Sequence, residues 1–301
     1  MAHEHHHHHH EVEVTSLNKA FIIGIVLNAG FVIAEFTAGF WYNSLGLMSD
    51  AGHNLGDVAS LVLAMLAFRL AKVHPNTKYT YGYKKSTVLV SLLNAVILLV
   101  AVGLILAESV EKLFHPRPVD GDAVAWVAGV GVVINAVTAW LFMKDKEKDL
   151  NVKGAYLHMA ADTLVSVGVV VSGIIIMHTG WYIIDPLIGI AIAIIIVVST
   201  WGLLRDSLRL SLDGVPSGID YQRIGSVIAA VPGVKSYHHM HIWALSTTEN
   251  ALTVHIVTDE LQHMEDVKCT LKHQLRDAGI SHATLEFEKP GQRCGECCEG
   301  V

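Results

Sequence analysis

Six apolar runs lie between residues 17 and 205, at roughly 17–39, 47–70, 86–110, 122–143, 154–178 and 183–205, each close to the length a helix needs to cross a bilayer. A segment inside lipid has to satisfy its own backbone hydrogen bonds, so runs of this length are expected to be membrane helices. The joints between them are short and polar. The first run begins near Lys19 and lacks an A-x-A-like exit, so it reads as a span that stays and not as a cleaved leader. Composition agrees: 52% of the residues are hydrophobic and 16% charged, against about 25% charged in soluble domains. The shortage of charge is confined to the region before residue 208, and from Asp213 onward the sequence is that of an ordinary soluble domain. The expected fold is therefore an all-α transmembrane domain of six helices at 17–208, followed by a small α+β domain at 209–290. An N-terminal segment at 1–16 holds MAHEHHHHHH, either an expression tag or a native metal-collecting arm, and a Cys-rich tail occupies 291–301.

Lysine and arginine placement sets the orientation. Arg69, Lys72, Lys78, Lys84 and Lys85 border the second joint, and Lys144, Lys146, Lys148 and Lys153 lie in or beside the fourth. The first and fifth joints have none. By the positive-inside rule joints two and four are cytoplasmic, and so are both termini and the α+β domain. In a bacterium the membrane would be the inner or plasma membrane. Four cysteines (Cys269, Cys294, Cys297 and Cys298) all fall in the C-terminal part, where a reducing cytosol favours thiolate chemistry over disulfides. A net charge of −7 gives no ground for a nucleic-acid partner.

Against this apolar background the polar residues stand out. The second run opens SLGLMSDAGHNLGDVASLVLAMLAF and the fifth GAYLHMAADTLVSVGVVVSGIII. Charged groups within a membrane are costly and usually line a cavity or an ion path. His53 and Asp57 are four residues apart and share a helix face, as do His158 and Asp162. If the second and fifth helices are neighbours, two imidazoles and two carboxylates form a four-ligand cage suited to Zn²⁺. Two carboxylates also neutralise one divalent ion, which offsets the desolvation of each charge. Asp50 and Asn54 flank the ligands, Asn54 as an outer partner and Asp50 either as an outer partner or as the cap of the helix. Small residues in the later spans, Gly129, Gly131, Ala136, Gly168, Gly173, Gly189 and Ala193 among them, suit close packing of membrane helices.

The soluble part reads helix (219–230), strand (around VKSYHHMHIWALS), strand (NALTVHIVTDE), helix (263–277) and strand (SHATLEFEK). That order makes an α+β sandwich with both helices on one sheet face. Strict alternation along HHMHIW points His239 and His241 one way and His238 the other. His255 follows on the neighbouring strand and His282 on the closing one. Cys294 and Cys297 have the C-x-x-C spacing of a tetrahedral metal site, though one such pair supplies only two ligands.

The chain resembles the cation diffusion facilitators, in particular the zinc-transporting branch, from about Asn18 to Pro290. The marks are NSLGLMSDAGHNLGD, TYGYKK, ESVEKLFHP, NVKGAYLHMAADTLVSVGV, DPLIGIAIAI followed by WGLLRDS, and VKSYHHMHIWALS. The resemblance implies a homodimer that moves Zn²⁺ out of the cytosol in exchange for protons, with cobalt and cadmium as lesser cargo. It implies that His53, Asp57, His158 and Asp162 are the transport site, and that the cytoplasmic domain is metallochaperone-like and pairs across the dimer. For that domain it implies a regulatory zinc held by residues such as His239, His255, His282 and Glu288 together with Cys294 and Cys297. There are departures from the family pattern. Ser86 and Thr87 follow TYGYKK where a glutamate is usual, and the second joint offers only His74, Asn76 and Lys78, so a second metal site there is not expected. The fourth joint, KDKEKDLN, carries no histidines.

Two other functions were open to such a sequence. An intramembrane hydrolase would need a base apart from the ligands, and no H-E-x-x-H occurs. A passive divalent-metal channel or a metal-sensing membrane protein would not need matched ligand pairs on two helices.

Overall fold

The computed structural model describes residues 14–41, 45–115, 122–181, 183–259 and 264–291. The backbone clusters into two units, Met1–Leu70 with Val90–Leu204, and Ala71–Leu89 with Arg205–Val301. The first is built from α1 (Val14–Trp41), α2 (Leu45–Ala71), α3 (Ser86–Phe114), α4 (Asp122–Met143), α5 (Leu150–Thr179) and α6 (Ile184–Ser211). Among the described residues, Lys19–Ala38, Asn54–Ala71, Ser86–Phe114 and Pro186–Ser211 are long and apolar enough to cross a membrane, and Gly129–Met143 of α4 is a shorter apolar stretch. In α5 the polar residues Asn151, Lys153, His158 and Asp162 dilute the first half of the helix. The chain is thus a multi-pass membrane protein with a separate small α+β domain.

The helical unit is turned inside out relative to a soluble protein. Ile33, Phe40, Val100, Leu104, Ile194 and Val198 are exposed on its outside, whereas Asn28, Glu35, Asn54, Asp57, Asn94, Asn135, Thr138, His158 and Thr200 are buried within it. Where the solvent is lipid, apolar surface has no reason to hide, and polar groups seek one another. Two apolar clusters organise the interior. Phe21, Leu61, Ala64, Ala139, Phe142, Val152, Ala155 and Met159 join α1, α2, α4 and α5. Leu98, Val102, Ala161, Ala193 and Ile196 join α3, α5 and α6. Among the described residues only α5 contributes to both, so the two clusters meet at this helix. Asp149 starts it, its Oδ1 accepting from the backbone N–H groups of Asn151 and Val152 at 2.7 and 3.2 Å, an N-cap. Contact with α6 depends on absent side chains: a Cβ on Gly168 would sit 2.3 Å from Ile192 Cδ1.

The second unit contains α7 (Tyr221–Ala229), β1 (Ser236–Ala244), β2 (Asn250–Val257), α8 (Met264–Asp277) and β3 (His282–Glu288). The sheet order is β1-β2-β3, with β1 antiparallel and β3 parallel to the central β2. A parallel neighbour requires a crossover, which α8 provides. Alternate residues Leu252, Val254 and Ile256 of β2 face a core shared with Ile224 and Ile228 of α7 and Val267, Leu271 and Leu275 of α8.

Residues 71–89, the second joint, cluster with this α+β domain. Asn76 Oδ1 accepts from the N–H groups of Lys78 and Tyr79, each at 2.9 Å, closing an Asx turn. Gly82 follows at φ 69°, where a Cβ would lie 2.8 Å from the Val73 carbonyl oxygen. Behind the turn, Lys84 pairs with Glu249 at 2.5 Å. Lys85 Nζ donates to the carbonyls of Leu210 and Ala244 and to Asp213, at 2.8, 3.1 and 2.6 Å. Thr87 Oγ1 accepts from the Thr247 N–H at 3.1 Å.

Candidate metal centre

One helical turn separates His53 from Asp57 on α2, and α5 repeats that step from His158 to Asp162. The helices bring Asp57, His158 and Asp162 together, one ligand atom of each within 4.8 Å of the others. His158 Nε2 is 2.5 Å from Asp57 Oδ1 and 4.0 Å from Asp162 Oδ2. Their side chains are 9, 2 and 14% exposed in the order His158, Asp57, Asp162. The backbone of His53 lies in α2, but its side chain and that of Asp50 are outside the described residues.

Local packing explains why these side chains converge. The face of α5 bearing Val152, Ala155 and Met159 packs against α1, α2 and α4, and Ala161 packs against α3 and α6. On α2, Leu61 and Ala64 belong to the first of these clusters, and Asp57 stands one turn before Leu61. Asp57 Oδ2 is buried without a hydrogen-bond partner among the described residues. A buried acceptor left in that state costs on the order of 1–3 kcal/mol, and more when it is charged. A divalent cation satisfies such an oxygen directly. With bonds of about 2.0–2.2 Å, tetrahedral zinc holds its ligand atoms about 3.3–3.6 Å apart, a span bracketed by the two separations above.

A further acid near this group was missed from the sequence. Glu35 on α1 is 1% exposed, and its Oε2 accepts a hydrogen bond of 2.8 Å from Asn54 Nδ2. The signal was present, since Glu35 is the one acidic residue in the first apolar run.

In the α+β domain, a second group forms on the outer face of the sheet. Ligand atoms of His238, His255 and Glu288 also lie within 4.8 Å of one another. His255 Nδ1 is 2.6 Å from Glu288 Oε1, and His238 Nε2 is 3.4 Å from Glu288 Oε2. This corrects the alternation expected along β1. The register shifts between His238 and His241, and His239 takes a φ of 50°. A bulge inserts one residue and re-aims side chains. His238 therefore stands opposite His255, and the His239 ring lies 5.3 Å from both of theirs. His282, expected to join them, does not. It sits at the other end of β3 from Glu288, opposite Ala251, with its ring 5.5 Å from that of Tyr81. Cys294 and Cys297 lie outside the described residues.

Residues 21–210 match the cation efflux transmembrane domain and residues 216–289 the cation efflux protein cytoplasmic domain. Over 90% of its length and 88% of the relative's, the chain is 34% identical to the cadmium, cobalt and zinc/H(+)-K(+) antiporter of Bacillus subtilis. It is 38% identical to the metal cation efflux system protein CzcD of Cupriavidus metallidurans, over 90% of this chain and 86% of that one. With the zinc transporter ZitB of Escherichia coli it shares 33% identity over 96% and 93%. Both domains are matched in order across a chain in which Asp57 of α2 meets His158 and Asp162 of α5, and the protein belongs to the cation efflux family, the cation diffusion facilitators.

Proposed function

We infer that this chain exports zinc from the cytosol in exchange for protons, with cobalt and cadmium as secondary cargo. The observation that carries this is the meeting of Asp57 with His158 and Asp162 inside the membrane domain, with one Asp57 oxygen left without a hydrogen-bond partner among the described residues. His53, one turn from Asp57, completes the ligand set. Zinc needs neutral imidazole and ionised carboxylates, so binding releases protons and protonation releases zinc. The proton that His158 shares with Asp57 is the alternative occupant of the same site. Coupling follows when that site opens to the two membrane faces in turn. The names of the relatives, which include cadmium, cobalt, zinc and proton exchange, support the same cargo and counter-ion.

Six crossings, with both termini and the α+β domain in the cytosol, accommodate the lysine-rich second and fourth joints. The working unit is a homodimer. His238, His255 and Glu288 form a cytoplasmic zinc site that senses metal, extended by His239 beside them and by Cys294 and Cys297 from the tail.

The test is reconstitution in sealed vesicles with a zinc dye and a pH probe. Zinc movement accompanied by opposite proton movement, and slowed when the proton gradient is collapsed, is expected. A rate unaffected by the proton gradient at clamped voltage would favour a passive channel. A rate that follows an imposed potassium gradient instead would reassign the counter-ion.

A further inference from the structure

One buried carboxylate has no part in the exchange described above. Glu35 of α1 is sealed in the helical unit and tied to Asn54 of α2, itself 8% exposed. Asn54 precedes Asp57 by three positions, a rise of about 4.5 Å along the helix. The pair stands on the side of the joint between α1 and α2, because Glu35 lies in the last turns of α1 and Asn54 lies before Asp57 on α2. In the orientation inferred above, that side faces away from the cytosol.

Two turns earlier on the same face of α1 stands Asn28, whose Nδ2 donates to the Gly24 carbonyl at 2.8 Å and to Thr138 Oγ1 of α4 at 3.2 Å. Asn28 and Glu35 therefore bracket the depth of Asp57. Among the described residues of α1, the buried polar group toward the cytosol, Asn28, is neutral, and the one toward the other side, Glu35, is an acid. A divalent ion that steps off its cage into low dielectric needs a compensating negative charge within a few ångströms. Glu35 supplies it one turn away. Carboxylate and amide oxygens alone suit zinc less well than a mixed imidazole and carboxylate set, so such a stop holds the ion loosely.

We propose that Glu35, positioned by Asn54, is a waypoint for the outgoing metal, a weak oxygen site between the zinc cage and the non-cytosolic exit. This rests on the transport function inferred above. In the competing view the pair only fastens α1 to α2, and there charge is irrelevant. Glu35→Gln separates the two, because a glutamine can still hydrogen-bond Asn54.

The full chain is reconstituted in vesicles as wild type, as Glu35→Gln, and as the exchanged pair Glu35→Gln with Asn54→Asp. Initial zinc rates are measured against zinc concentration on the cytosolic face. For Glu35→Gln we expect maximal turnover to fall at least about tenfold, within the range that outer-partner losses produce, with the zinc KM little changed. The exchanged pair keeps one carboxylate and one amide at this level and is expected to recover most of the lost turnover. It also serves if the single variant fails to fold. Wild-type turnover in Glu35→Gln, or a folded exchanged pair no faster than Glu35→Gln, would overturn the waypoint. A large rise in KM with unchanged turnover would also overturn it, placing Glu35 in the loading cage itself. If wild type moves no zinc, the transport function falls, and the waypoint with it.

Discussion

At the scale of single residues, the membrane site is a balance of charge in a place where charge is expensive. Of the two aspartates that meet His158, Asp57 is the more removed from solvent, and its Oδ2, without a hydrogen-bond partner among the described residues, makes it the ligand with the least alternative. Asp57→Ala is expected to abolish vesicle zinc flux, exceeding the roughly 10–100-fold loss typical of an outer partner, while the protein remains folded in detergent. Wild-type flux from this variant would remove Asp57 from the cage. In the sheet, Glu288 is 8% exposed and is shared by His238 and His255. In an Asp57→Ala background, where the membrane site is silent, adding His255→Ala should lower the zinc bound per subunit by one. An unchanged metal count would mean that the cluster is only a hydrogen-bonded feature of the sheet. The meeting of Asp57 with His158 and Asp162 was legible in the sequence because a spacing of four on a helix fixes a shared face. Glu35 was legible only as a lone acid in an apolar run, and its pairing was not, since Asn54 lies 19 residues away on another helix. His238 was misread for a different reason. Strict alternation holds only while the register does, and a bulge at His239 is invisible to a pattern of period two.

At the scale of elements, α5 ties the membrane unit together. Among the described residues, six long helices and the order of elements in the α+β domain agree with the reading from hydropathy and period, and four of those helices are long and apolar enough to cross a membrane. The glycines expected to permit close packing divide on inspection. An added Cβ at Gly168 meets Ile192 at 2.3 Å and Ile188 at 2.9 Å, whereas one at Gly129 meets nothing within 4 Å. Gly168→Ala should therefore destabilise the protein by about 1–3 kcal/mol, as overpacking does. Gly129→Ala should stay within about 0.5 kcal/mol of wild type. Thermal unfolding in one detergent checks both, and equal behaviour would show that the α5–α6 contact yields without cost. At the start of the same helix, Asp149→Ala removes the acceptor for two backbone N–H groups and should cost about 1 kcal/mol.

For the whole molecule, the consequence of placing carboxylates and imidazoles together is a metal affinity that depends on pH. Folding is not the linked process here; metal binding is. Protons and zinc compete for the same atoms, so acidifying the cytosolic face should raise the zinc KM, by up to about tenfold per pH unit for each proton displaced. Acidifying the opposite face should speed release and raise turnover. Rates in vesicles with the two faces buffered independently check the sign on each side. A KM that does not move with cytosolic-face pH would mean that zinc displaces no proton from its ligands.

The second joint sits within the same compact unit as the C-terminal domain, held there by Lys84, Lys85 and Thr87. Evolutionary and laboratory shuffling must respect that. A chimera that grafts a relative's C-terminal domain onto this chain after Ser211 would divide one folded body between two parents. Lys85 would then face a foreign partner where Asp213 and the Ala244 carbonyl now stand. The natural unit of exchange is discontinuous: residues 205 onward must travel together with residues 71–89.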